Sequence, residues 1–233
     1  MNLPNKIKNS LNNDWDNTVL YHDLYTKLFK LNIDNNGIGN INDITKKMKQ
    51  NFIKTFKIVS KTNYIYLKAS VLLDIGLFYY FDKQYEEAGE YLLQAAECGA
   101  EAFGFNLENA KDFVFPTLHY MSFEYAPWYI GKLVNTAQIK LGSPLFFRMI
   151  NWINNVCIHS NSLNWRVIGY YNRGTFFEIF ENNIEESKKM FLMGSKISDE
   201  DLIDCKLIPP EPESYSFKAK KNCFIYINKR IRL

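Results

Sequence analysis

At 233 residues, with 47% apolar and 23% charged side chains, the chain carries enough apolar material for one sizeable core and lacks the composition of a disordered or fibrous protein. Its formal charge of +3 is too small to mark a nucleic-acid-binding protein without a clustered basic face. No stretch approaches the roughly 18 apolar residues needed to cross a bilayer.

The N-terminal MNLPNKIKNSLNNDWDN has no apolar segment of the secretory kind, so a cytoplasmic location without membrane partners is expected. Abundant Asn, Lys and Ile fit the codon bias of an AT-rich bacterial genome. Trp15, Val19, Leu20, Leu24, Leu28 and Leu31 fall near helical spacing and predict a first amphipathic helix over 14–31. The turn-forming IDNNGIGNIND follows, and Asp43 can cap a second helix whose face is Ile44, Met48, Phe52, Phe56 and Val59. Gly37 and Gly39 lack the strand-to-helix context of a phosphate loop.

Helices are expected over 63–81 and 85–105, joined by the polar turn Asp82-Lys83-Gln84, which makes them an antiparallel hairpin. In KDFVFPTLHYMSF, residues 111–123, aromatic and apolar side chains surround Pro116 in a pattern closer to short extended strands. Pro127 is placed as the first-turn proline of a helix running to about Leu141. Gly142-Ser143-Pro144 ends it and starts another, with Phe147, Ile150 and Ile153 inward. After HSNSLN, segments 165–180 and 184–197 read as a second hairpin. KLIPPEPES is a proline-rich connector that cannot continue a helix, and CFIYI at 223–227 is a strand candidate, able to pair with the extended 113–120 region.

The expected fold is therefore mainly α: irregular, repeat-like antiparallel helical hairpins with a small β element at about 111–123 and 223–227. One domain spans 1–233, comprising N-terminal helices (1–62), a repeat-like helical core (63–200), and a Pro-containing connector with a basic C-terminal strand or tail (201–233). Within the core, Leu72-x2-Ile75-Gly76-x2-Tyr79, then Tyr85, Ala88, Leu92 and Ala95, reproduce the small and large positions of a tetratricopeptide repeat, with Leu72 in place of the usual Trp. Gly76 and Ala88 fall where the two helices should approach most closely, with Tyr79, Tyr85 and Leu92 filling the flanking holes. Ala100 stands where the repeat usually has Pro. A regular array needs about three repeats, and the sequence shows no clear third.

YLLQAAECGAEAFGF, the extended KDFVFP region and the helix APWYIGKLVNTAQIKLG follow one another in an order that resembles immunity protein 49 of bacterial polymorphic toxin systems, over roughly 68–150. The resemblance implies a cytoplasmic antitoxin that binds a cognate toxin domain and blocks it by occlusion. It implies no enzyme and no cofactor, and carries over no active-site residues. A tetratricopeptide-like adaptor or chaperone that holds a peptide or protein partner is the alternative.

The residue chemistry agrees with a binding role. Cys98, Cys157, Cys205 and Cys223 form no CxxC pair, so neither a zinc site nor a disulfide framework is indicated, and reduced thiols are expected. Of the three histidines, only His119 has an arguable site role, alone or with Glu124, and a structural role is the simpler reading. Glu86, Glu87 and Glu90 read as a solvated face. Trp152 and Trp165 fit the core. Arg148, Arg166 and Arg173 near them, and Tyr80 and Phe81 on the concave side of the first hairpin, are the candidate partner-binding residues.

Overall fold

The computed structural model describes residues 65–103, 117–160, 162–202 and 214–231, with a few positions between 50 and 61. The N-terminal helices expected over 14–31 and 43–59 lie wholly or mostly outside the described residues. Among the described residues there are seven α-helices and no strand. They are α1 (Ile65–Phe81), α2 (Tyr85–Phe103), α3 (Thr117–Asn135), α4 (Pro144–Trp152), α5 (Leu163–Ile179), α6 (Ile184–Ser195) and α7 (Tyr215–Ile231). A π-helical turn, Ile153–Cys157, continues α4.

The first hairpin forms as its small residues require. A methyl group on Gly76 would lie 2.8 Å from Leu92 Cγ and 3.0 Å from the Leu92 backbone nitrogen, so only glycine lets α1 come this close to α2. Ala88 and Leu92 are fully buried, and Tyr79 stacks on Tyr91 at 5.5 Å between centroids. Lys83 takes a left-handed conformation (φ 62°) to close the turn. Every residue from Val71 to Tyr80 is buried. On a helix that is apolar all round, burial on every side is the expected consequence.

α3 corrects the sequence reading. Residues 117–123, assigned to a strand-like excursion, are helical, and the helix starts directly after Pro116, ten residues earlier than expected. Pro127 therefore lies inside α3 rather than at its start, where it removes one backbone donor from the helical ladder. Residues 111–116 lie outside the described region. The helix ends at Asn135, before the expected Leu141, and Ala137 turns the chain with a φ of 52°.

Ser143 caps α4 by accepting the Phe146 N–H at 3.2 Å, with Pro144 in the first turn. The cap fixes the rotational phase of the helix, and Leu145, Phe146, Met149 and Trp152 turn inward. Phe147, expected inward, is 61% exposed. Trp152 and Trp165 meet edge to face at 5.4 Å in the core, as expected of packing residues. Ser162 and Asn183 cap α5 and α6 by accepting the backbone N–H groups of Trp165 and Glu186.

The second β candidate is likewise helical. CFIYI at 223–227 belongs to α7. Ala219, Cys223 and Tyr226 recur at helical spacing and supply its buried side: Ala219 and Cys223 are fully buried, and the Tyr226 ring lies 4.0 Å from that of Phe191 on α6. This burial outweighs the local strand propensity of Ile and Tyr, because that propensity depends on a pleated neighbour to pack against. No described strand is there to provide it.

The helices follow one another as successive pairs. α1 and α2 join α3 through Tyr80 and Tyr129 at 4.6 Å. α3 lies beside α5 through Trp128 and Tyr171, Gly131 and Asn172, and Asn135, whose Nδ2 donates to the Asn172 carbonyl at 3.2 Å. α5 pairs with α6 where Gly174 meets Phe191, and α7 closes the far end on α5 and α6. Three helical pairs and a terminal helix are thus present, although the middle pair is irregular: α4 is only nine residues long and ends in the π turn.

Candidate partner-binding surface

Two features stand out among the described residues: a ridge of partly exposed rings on α4 and α5, and a buried carboxylate that holds α7 in place. The ridge is a chain of ring contacts. Phe146 meets Phe147 at 5.8 Å, Phe176 at 6.2 Å and Phe180 at 6.3 Å, and Phe176 meets Phe180 at 5.2 Å. Phe146 and Phe176 are buried and anchor it. Phe147 is exposed, and so at 55% is Ile179, the neighbour of Phe180.

Charged side chains flank both ends. The Arg173 guanidinium lies 3.8 Å from the centroid of the Phe177 ring and 5.1 Å from that of Phe176, and it pairs with Glu181 at 3.3 Å. Beside Phe147, Arg148 Nη1 reaches both carboxylate oxygens of Glu90, at 2.9 and 3.0 Å. An exposed ion pair of this kind contributes little stability, about 0–1 kcal/mol. It does fix the arginine's position beside the rings. Apolar side chains anchored from below and rimmed by arginines form the type of surface on which protein interfaces concentrate their binding energy.

Of the five residues expected to bind a partner, the structure brings Arg148 and Arg173 to this ridge. Arg166 is elsewhere, its Nε donating to the Ser160 carbonyl across the turn before α5. Tyr80 is 8% exposed, wedged between Tyr85, Phe81 and Tyr129, with Lys132 Nζ 5.4 Å from its ring centroid. Phe81 is half-buried in the same cluster. Both therefore serve the packing of α1 against α3.

Phe147, Ile179 and Phe180 are the members of the ridge that sequence reasoning missed. The available signal was the Ser143-Pro144 start, which sets the phase of α4 and turns Phe147 outward. The acidic face of α2 is also more than solvated surface. Glu86 accepts the Lys140 backbone N–H at 2.9 Å and Glu90 holds Arg148, so the two carboxylates tie the 136–143 connection and α4 to the first hairpin.

The buried carboxylate is Glu124 on α3, with no exposed surface. Asn164 Nδ2 and the Ser216 hydroxyl donate to Oε1, the former at 2.7 Å, and the Tyr215 backbone N–H donates to Oε2 at 2.6 Å. Tyr215 is the first residue of α7, so a side chain from another helix satisfies one of the free donors at that N-terminus. Burial pushes the Glu124 carboxyl above its usual range, and the donors from Ser216, Asn164 and Tyr215 pull it back. A carboxylate whose acceptors are this fully used is a clasp between α3, α5 and α7. The His119 side chain lies outside the described residues.

Among the described residues no three His, Cys, Asp or Glu side chains are grouped to hold a metal, and no helix is long and apolar enough to cross a membrane. Cys157 and Cys223 are free thiols. Burial pushes Cys223 up to about 12 and Cys157 higher still, which makes both poor nucleophiles at neutral pH. Cys205 lies outside the described residues.

Compared with protein-family models, with curated proteins and with solved structures, the chain gives no match to any of them.

Proposed function

We propose that this chain is an immunity protein of a bacterial polymorphic toxin system, which binds a cognate toxin domain in the cytoplasm and neutralises it by occlusion. The observation that carries the reading is the ridge on α4 and α5: Phe147 stands exposed against buried Phe146, Ile179 is exposed at the end of α5, and Arg148 and Arg173 are held by ion pairs on the same two helices. Inhibition by occlusion needs a rigid, preformed surface that covers the toxin's active centre, because ordering a flexible one would cost affinity. It needs no chemistry and no cofactor of its own. The toxin-directed version of this role rests on the sequence resemblance over roughly 68–150, of whose extended segment residues 117–123 are helical.

The adaptor reading draws on the successive helical pairs, since stacked pairs commonly bind peptides along an open groove. Of the groove-facing positions of α1 in that register, Ser70, Leu73, Leu77, Tyr80 and Phe81, the three at Leu73, Leu77 and Tyr80 are each under a tenth exposed and Phe81 is half-buried. That leaves the first pair without an open groove and favours the outward ridge.

Co-expression of the chain with the toxin encoded beside its gene, followed by growth and co-purification, tests the proposal. Restored growth with a stable complex is expected. Unaltered killing, with no complex, would refute it.

A further inference from the structure

The two sides of α7 differ in character. Toward α6 it presents Cys223 and Tyr226, with Ala219 buried on the same side. Cys223 Sγ sits where a methyl group on Gly194 would come within 2.8 Å, and the Ser187 hydroxyl donates to the Tyr226 hydroxyl at 3.3 Å. With a step of about 100° per residue, Lys221, Phe224, Ile225, Asn228 and Lys229 fall on the opposite side. Phe224 is 58% and Ile225 40% exposed. A helix face that no neighbouring element covers is expected to be polar. The outer face of α7 has two large apolar side chains at its centre instead.

Its charge is one-sided. From Ser214 to Leu233 there are four lysines, two arginines and no acidic residue. Two of the lysines are engaged within the fold: Lys220 pairs with Asp199, and Lys218 Nζ lies 5.4 Å from the Trp128 ring centroid. Lys221 and Lys229 are exposed beside Phe224 and Ile225.

We propose that the outer face of α7 docks an amphipathic helix of another protein whose apolar stripe is flanked by Asp and Glu. Such a helix would cover Phe224 and Ile225 and place carboxylates against Lys221 and Lys229, continuing the stack by one member. A second copy of this face is the poorer occupant, since it would set Lys221 and Lys229 against lysines. Nucleic acid is poorer still, because the apolar pair Phe224 and Ile225 would stay uncovered against it. The proposal is independent of the toxin-directed role, lying on a different helix from the ridge.

The full-length protein is titrated with a helical peptide carrying Leu at i, i+3, i+4 and i+7 and Glu at the flanking positions, and with the same peptide bearing Lys for Glu. Tighter binding of the Glu peptide by at least about tenfold is expected. Phe224→Ser with Ile225→Ser should abolish it, and Lys221→Glu with Lys229→Glu should invert the preference toward the Lys peptide, both at unchanged thermal stability. Equal binding of the two peptides, or no binding of the Glu peptide at about 1 mM, overturns the proposal. So does a preference that the charge swap leaves unchanged.

Sedimentation of the protein alone and titration with a DNA oligonucleotide separate the other occupants. Self-association lost in the Ser variant identifies a second copy, and tighter binding of the oligonucleotide identifies nucleic acid; either result overturns the proposal. Masking by the chain's own residues 1–49 would appear as Glu-peptide binding gained only after their removal, and also overturns it.

Discussion

The first hairpin and the C-terminal pair of helices are joined by the same device and end in opposite states. In each, a glycine admits a neighbouring side chain at a distance that a methyl group would forbid: Gly76 admits Leu92, and Gly194 admits Cys223. Yet α1 is buried on all sides from Val71 to Tyr80, whereas α7 leaves Phe224 and Ile225 in solvent. Close helix packing thus says where two elements join. It does not say which surface is left for a partner. That depends on where large apolar side chains are left exposed, which among the described helices is on α4, the end of α5, α6 and α7.

The largest effect expected concerns the sealed hairpin. Asp74 lies within the buried run of α1, and burial raises its pKa to about 7 from an ordinary 3.8. The folded state then holds the proton more tightly than the unfolded state does. This contribution to stability is complete below about pH 4 and is lost as pH rises toward 7. Asp74→Asn should match the wild type near pH 4 and exceed it at pH 8 by up to ~4 kcal/mol, measured by denaturant unfolding across that range. A constant difference between the two proteins would show that Asp74 is solvated.

At the other end, Glu124→Ala should cost about 3 kcal/mol, because it strands the donors of Asn164, Ser216 and Tyr215 in a buried site. Hydrogen exchange should show α7 opening first while α1 and α2 stay protected. A uniform loss of protection would mean that the two ends unfold together and that the clasp is not local. Ala88→Leu probes the sealed hairpin by volume and should overpack it by about 2 kcal/mol. Unchanged thermal stability would contradict the register that places Ala88 against α1. Smallest of all, Phe224→Ser should change stability by less than about 0.5 kcal/mol, since its ring is mostly in water.

Legibility in the sequence followed the same division. The hairpin over 65–103 could be read because Gly76, Ala88 and Leu92 occupy positions that the close approach of two helices permits few other residues to fill. The second hairpin was readable from the break HSNSLN before it, whereas the caps Ser162 and Asn183 that fix the starts of α5 and α6 were not picked out. The 117–123 segment was misread because Pro116 and its aromatic neighbours look extended locally, and nothing near them in sequence announces that Glu124 must reach α7 some ninety residues away. CFIYI was misread because five residues show strand propensity, whereas the helical spacing of Ala219, Cys223 and Tyr226 needs a longer window. The ridge was half legible. Arg148 and Arg173 were picked out by type, but the exposure of Phe147 depends on the phase set by Ser143 and on the distant rings of Phe176 and Phe180.

The central claim is that the exposed ridge engages a toxin domain, and Phe147→Ser combined with Ile179→Ser tests it most directly. Both side chains are more than half exposed, so the double variant should melt within a few degrees of the wild type. In cells producing the neighbouring toxin, the wild-type chain should protect growth, and the double variant should lose that protection along with the complex. Full protection by the variant, at equal expression, would contradict the account.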